Sequence, residues 1–301
     1  MDRPDKARTL RLQRLEKMLE TKLEPPAAAL EIILSEMKIG QADSALWERL
    51  HAAAARDGSD VEARLGAAYR QVIQQRRLRD LELDDQVMVL IRAADYLLGM
   101  LGDTDGAAVA LTRVLEVRPT HEEAFLRIET RLKAGGDSLT IAEFYAKVVS
   151  AQKPPLPALV RKALNCVARL PGSKPLSAAA CEGLLTLLPT ELIVVTMLDA
   201  HCKKTQRVAL ACSLQETALE SYELPDSAVL TVQKNLIETY QALSDTPEKA
   251  IDHVETLLLA DPANKTWRKA AEKLLSNRGV ASRAAAALSQ ARRDSRRPPS
   301  M

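Results

Sequence analysis

Gly102-Asp103-Thr104, followed by Ala107, Ala108, Leu111, Val114 and Leu115, returns 34 residues later as Gly136-Asp137-Ser138, followed by Ile141, Ala142, Tyr145, Val148 and Val149. Arg113 returns as Lys147 in the same register. Upstream, Ile91 maps onto Phe125, Ala94 onto Ile128 and Leu98 onto Leu132. The pattern inside each copy is helical. A repeat of this length in a helical pattern predicts a stacked array of helical hairpins. Arrays of this kind act by presenting a surface.

Composition agrees with helix-on-helix packing. Hydrophobic residues make up 47% of the 301-residue chain and aromatics only 3%, so the core must be built from Leu, Val, Ile and Ala. Alanine also has the highest helix propensity. The formal net charge of +2 gives no global case for nucleic acid. The charge is uneven, however. Arg278, Arg283, Arg292, Arg293, Arg296 and Arg297 face only Asp294 near the end, and Arg3, Lys6, Arg8, Arg11 and Arg14 crowd the start. No apolar run reaches the roughly 18 residues of a spanning helix, and the first residues carry no secretory pattern. The four cysteines fit a reduced, cytoplasmic protein.

Proline and glycine fall between the apolar-periodic segments, where proline does least harm to a helix. They divide the chain into sixteen expected helices, near 5–23, 27–38, 42–56, 59–77, 84–101, 104–117, 121–134, 138–151, 156–169, 175–188, 190–203, 206–222, 226–244, 247–260, 263–277 and 280–292. Caps are expected at Asp43 or Ser44, at Ser59 or Asp60 with Glu62 completing a capping box, before His121-Glu122-Glu123, and at Thr246-Pro247. The short connections force antiparallel neighbours.

At this point the residues carry a resemblance. Leu65-Gly66-Ala67-Ala68-Tyr69, Gly102-Asp103 with Ala107, Leu111 and Pro119, Gly136-Asp137 with Tyr145, and Ala250, Val254 and Asp261-Pro262 with Trp267 together resemble a tetratricopeptide repeat. Two positions depart from the pattern: Glu62 stands where tryptophan is expected, and Ile141 at an alanine site. The resemblance covers 84–153 and 226–277 and part of 42–77; the stretch 156–222 shows helical hairpins without the motif. It implies an all-α fold, an α-solenoid of about 7–8 stacked antiparallel helical hairpins. The expected organisation is an N-terminal hairpin or cap over 1–41, repeats over 42–155, degenerate hairpins over 156–224, C-terminal repeats and a capping helix over 225–292, and a disordered basic tail over 293–301.

The resemblance also implies where a partner would dock, since the first helix of each such repeat lines a concave groove. Arg64, Arg70, Arg92, Tyr96, Arg127 and Arg131 are the expected contacts, with Asp95 and Lys133 beside them. Arginine suits an acidic or extended peptide because its fork pairs bidentately with carboxylates. The plain alternative is a solvated charged face. The lysine and asparagine set of the family's peptide-clamping members is not found.

Other chemistry has weaker support. Cys166, Cys181, Cys202 and Cys212 lack the close spacing of a zinc site and read as small apolar packers. Asp84-Asp85 lacks a third carboxylate at helical spacing and reads as a helix start. No phosphate-cradling loop or nucleophile motif is found. The expectation is therefore a non-enzymatic scaffold or adaptor without metal or cofactor, binding an acidic protein or peptide in the cytoplasm, with no membrane role. Two copies could pair through the terminal helices, where Ala284-Ala285-Ala286-Ala287-Leu288 offers a smooth face. The alternative is an RNA-associated or regulatory half-repeat protein using the basic runs at 74–79 and 292–297, although these lack interleaved aromatics for stacking.

Overall fold

Every regular element in the described residues is helical. The computed structural model describes residues 3–37, 44–74, 76–188, 190–242 and 247–295. The chain divides into two compact units, Met1–Gly136 and Asp137–Met301.

The first unit holds α1 (Arg3–Glu20), α2 (Pro26–Met37), α3 (Ser44–Asp57), α4 (Ser59–Gln74), a 3-10 turn (Arg76–Asp80), α5 (Leu83–Gly99), α6 (Thr104–Val117) and α7 (Glu122–Gly135). Each helix packs on the next. In addition α1 reaches α3, α2 reaches α4 and α4 reaches α6. The second unit holds α8 (Ser138–Ala151), α9 (Pro157–Arg169), α10 (Ala178–Leu185), α11 (Ile193–Lys204), α12 (Val208–Ser221), α13 (Asp226–Ala242), α14 (Pro247–Ala260), α15 (Lys265–Leu274) and α16 (Ala281–Asp294). Here α8 packs on α9 and α10, α9 on α11, and α10 on α11 and α12. From α11 to α16 each helix packs on its successor, and α14 also reaches α16.

The expected helices all form, and their ends move by three residues at most. Ends expected at 38, 42 and 244, caps expected at Asp43 and Thr246, Gln75, and the tail beyond 295 lie outside the described residues. Two differences have a local cause. Helix α4 stops at Gln74 because the chain tightens into the 3-10 turn, which buries Leu78. Helix α10 is shorter than expected at both ends. Ser177 caps its start by accepting from Ala180 N–H, and Thr186, Leu187 and Leu188 close it with bonds three residues back. At the other terminus α16 runs to Asp294, past the expected 292.

The sequence echo has a structural counterpart. Gly102 and Gly136 both adopt left-handed φ, +63° and +70°, which glycine tolerates at no steric cost. The aspartate after each caps the next helix: Asp103 accepts from Gly106 N–H, and Asp137 from Leu139 and Thr140 N–H. The echoed pairs Leu111 and Tyr145, Val114 and Val148, and Leu115 and Val149 are all buried. Gly66 in α4 faces the end of the Leu101 side chain, which a Cβ there would displace.

A set of polar contacts joins helices and their flanking turns at nearly the same spacing. In the first unit Arg49 Nη2 donates to Glu16 Oε2 (2.5 Å, 33 residues apart), Leu23 N–H to Asp57 Oδ2 (2.6 Å, 34 apart), and Arg70 Nη2 to Asp103 Oδ2 (2.6 Å, 33 apart). Tyr96 OH donates to the Glu62 carbonyl at 3.2 Å, and Arg118 pairs with Asp84; both pairs are 34 apart. In the second unit Ser177 N–H donates to Glu143 (2.8 Å, 34 apart), Lys204 Nζ to the Leu170 carbonyl (2.7 Å, 34 apart), and Lys249 Nζ to Glu216 (2.9 Å, 33 apart).

Candidate partner-docking surface

The six sequence-predicted contacts all fall in the first unit, on three helices. Arg64 and Arg70 stand on α4, which packs with α2, α3, α5 and α6. Arg92 and Tyr96 stand on α5, and Arg127 and Arg131 on α7. The structure brings α5 and α7 together at one point, where Arg127 Nη1 pairs with Asp95 at 2.9 Å.

Most of these arginines already hold a carboxylate. Arg64 pairs with Glu24 and Asp60, both at 3.2 Å. Arg70 takes Asp103, whose carboxyl is held below its usual range by the Gly106 N–H and by Arg70 itself. Arg127 adds Glu123 at 3.4 Å, and Arg131 takes Asp105 at 2.5 Å. All are partly exposed pairs, of a kind that contributes about 0–1 kcal/mol each. A partner carboxylate would therefore compete with, or join, a charge already in place. Arg92 is half-buried, and its charge is felt by His51.

Tyr96 is 1% exposed and belongs to an internal file of rings. Trp47 and His51 of α3, Tyr69 of α4 and Tyr96 of α5 meet there. The ring centroids of Trp47 and Tyr69 are 6.3 Å apart, those of Tyr69 and Tyr96 5.2 Å, and those of His51 and Tyr96 4.7 Å. His51 Nε2 and Tyr69 OH are hydrogen-bonded at 2.6 Å. Burial, reinforced by the positive charge of Arg92, lowers the His51 pKa to about 4, so the ring is neutral at pH 7. Burial pushes Tyr96 up to about 12.

Sequence reasoning missed the groove beside these residues. Leu98 of α5, Ala107, Ala108 and Leu111 of α6, and Leu126, Ile128 and Ala134 of α7 line a mainly apolar hollow of about 490 Å3, with Arg127 and Arg131 on its wall. Leu98 and Leu126 are 44% and 46% exposed. The signal available beforehand was the echo itself, which places Leu98 and Leu132 at equivalent positions and marks Leu98 as a contact position. A second hollow of about 370 Å3 lies between α14 and α16, where Leu259 is 71% exposed beside Ala286 and Ala287. In the predicted smooth face of α16, Ala284 and Leu288 point inward and Ala285 and Ala286 are exposed.

The cysteines and the remaining buried histidines sit in the second unit. Cys181, Cys202 and Cys212 are buried and free, and Cys166 is half-buried. Cys181 donates to Cys202, which together with burial raises the Cys181 pKa. The His201 Nε2 accepts from Leu176 N–H at 3.1 Å, and burial lowers its pKa. Among the described residues no group of three or more His, Cys, Asp or Glu is arranged to hold a metal ion, and no helix is long and apolar enough to cross a membrane. Asp84 and Asp85 stand in the first turn of α5, as expected. Of the basic runs, Leu78 and Arg79 lie in the 3-10 turn, Arg292 and Arg293 end α16, and Arg296 and Arg297 fall outside the described residues.

The chain matches no known family model and no curated protein.

Proposed function

We propose that the chain is a non-enzymatic docking scaffold of the cytoplasm, built as a tetratricopeptide-like α-solenoid of stacked hairpins, and that it binds an acidic protein or peptide segment. The observation that supports the repeat reading is a recurrent set of long-range polar contacts that join residues 33 or 34 apart, found in both units among contacts of other spacings. Stacked units of that length place residue i beside its equivalent in the next unit, which is how such contacts arise. Packing of helices two apart in sequence supports the same reading.

Within this reading the α5–α7 groove takes a large apolar side chain of the partner between Leu98, Leu111 and Leu126. A neighbouring partner carboxylate meets Arg127 and Arg131, with Arg92 on the adjoining helix. Affinity sums several weak contacts around one apolar anchor. Two copies associate through the α14–α16 end, where Leu259 stands exposed.

The test is a pull-down with the triple variant Arg92→Glu, Arg127→Glu and Arg131→Glu, beside Leu126→Asp alone. Both should lose partners that the parent chain retains, with helicity unchanged by circular dichroism. Unchanged recovery by both variants would discard the groove assignment. Light scattering that finds only monomer at high concentration would discard the self-association.

A further inference from the structure

The outward face of α1 gathers several cations without the carboxylates that most arginines of the first unit hold. Arg49, Arg64, Arg70, Arg113, Arg118, Arg127 and Arg131 each hold a carboxylate. On α1, Arg8 does so as well, through Glu36 at 2.8 Å. Lys6, Arg11, Arg14 and Lys17 are exposed, and no carboxylate of the described residues pairs with any of them. At about 100° per residue, Lys6, Leu10, Arg14 and Lys17 fall within one side of the helix, and Arg11, also exposed, lies about 60° beyond Arg14, at the edge beside Met18. Leu10 is 59% exposed in the middle of this stripe. The opposite side is committed to the core through Leu15, Met18 and Leu19. Helix α1 packs on α2 and α3, both on that inner side.

We infer that this face docks an acidic helical segment of a partner protein, one that sets carboxylates against the four cations and an apolar residue over Leu10. Three observations choose this occupant. The first is charge: four cations spread over 12 residues, about 16 Å of helix, match carboxylates spaced along a second helix. The second is a pairing the chain itself uses, in which the carboxylate for a helix-surface arginine comes from a neighbouring helix, as in Arg49–Glu16 and Arg131–Asp105. The third is Leu10, an exposed apolar side chain that a phosphate backbone would leave uncovered. A membrane fits less well, because an interfacial helix anchors by its apolar stripe, and here that stripe is buried in the protein.

The inference does not depend on the α5–α7 groove. Its test uses the full chain and the variant Lys6→Gln, Arg11→Gln, Arg14→Gln and Lys17→Gln, which changes only exposed positions. Three probes are titrated against each: a 20-residue amphipathic helical peptide rich in Glu and Leu, a 20-base-pair DNA duplex, and vesicles one-third phosphatidylserine. The peptide should bind the parent chain best, weaken about tenfold or more in the variant, and weaken as salt rises. Leu10→Gln should weaken it by a smaller factor, and the triple Arg92, Arg127 and Arg131 variant should not weaken it at all. Equal binding by parent and quadruple variant overturns the proposal. So does tighter binding of the duplex or the vesicles than of the peptide. Loss only in the triple variant would overturn the α1 site while supporting the groove; loss only in the quadruple variant would support the α1 site alone.

Discussion

Rings fill the interior of α3–α5, and hydrogen bonds thread the interior of α10–α12. In the first region Tyr69 stacks on Trp47 and packs at a tilt against Tyr96, all with almost no exposure. In the second, Asp199 of α11 accepts from Gln215 of α12 at 2.7 Å and from Lys203 at 2.8 Å. His201 takes the Leu176 N–H, and Arg207 donates to the Leu176 carbonyl. Further along, Tyr240 OH donates to Glu216 at 2.6 Å, and Lys249 to the same carboxylate. Burial opposes the charge on Glu216, but these donors prevail and hold its pKa below the usual range. The two regions teach that one hairpin plan can be closed either by apolar volume, where truncation is costly, or by polar pairing, where orphaning one partner is costly.

The largest effect should come from Tyr69→Ala, which empties the centre of the ring file. It should cost about 3–5 kcal/mol, the range for aromatic-to-alanine changes in cores, read as a lowered urea midpoint. Next comes Asp199→Ala, which leaves the buried Gln215 amide without its acceptor, at about 1–3 kcal/mol. The double change Asp199→Leu with Gln215→Leu should recover much of that loss, since both polar groups then leave together. If Asp199→Ala outweighs Tyr69→Ala, the contrast between the regions is reversed.

Acid should follow in size. The folded chain keeps His51 neutral down to about pH 4, whereas the unfolded chain charges it near 6.5. The unfolded state therefore binds the extra proton in that window, and stability falls as pH drops from 6.5 toward 4. The His51 contribution should be on the order of 1–3 kcal/mol. Burial lowers His201 and His253 in the same direction, so the second unit should lose stability on acidification too. Urea titrations of parent and His51→Gln across pH 7 to 4.5 should show a flatter profile for the variant; parallel profiles would remove His51 from the account. The smallest effects should come from Arg70→Ala and Arg118→Ala, each below about 1 kcal/mol. These contacts mark the repeat spacing without carrying much of the stability.

The contrast also explains what was legible beforehand. Helix positions are readable because proline and glycine mark nearly every end, and the repeated Gly102-Asp103 and Gly136-Asp137 form the same left-handed turn and cap. The repeat motif faded over 156–222 for a physical reason: Asp199, His201 and Gln215 occupy buried positions there, so the apolar pattern is interrupted by groups whose partners lie on other helices. The predicted arginines could be placed on helices but not supplied with partners. Opposite charges 33 or 34 residues apart, as in Arg70 with Asp103 and Asp84 with Arg118, were the signal that could have supplied them. The burial of Tyr96 had no such signal, because only the meeting of three helices creates the ring file.

The interhelical pairs also bear on how such a gene can change length. On the proposed repeat reading, copying a block of 34 codons in frame would give an arginine such as Arg70 or Arg118 a matching acid one block away, so a longer chain would inherit those fastenings ready-made. Removing two or three codons inside a helix turns that helix and sends its arginine away from its acid. On that reading, growth by whole blocks keeps these pairs, and trimming inside a block breaks them.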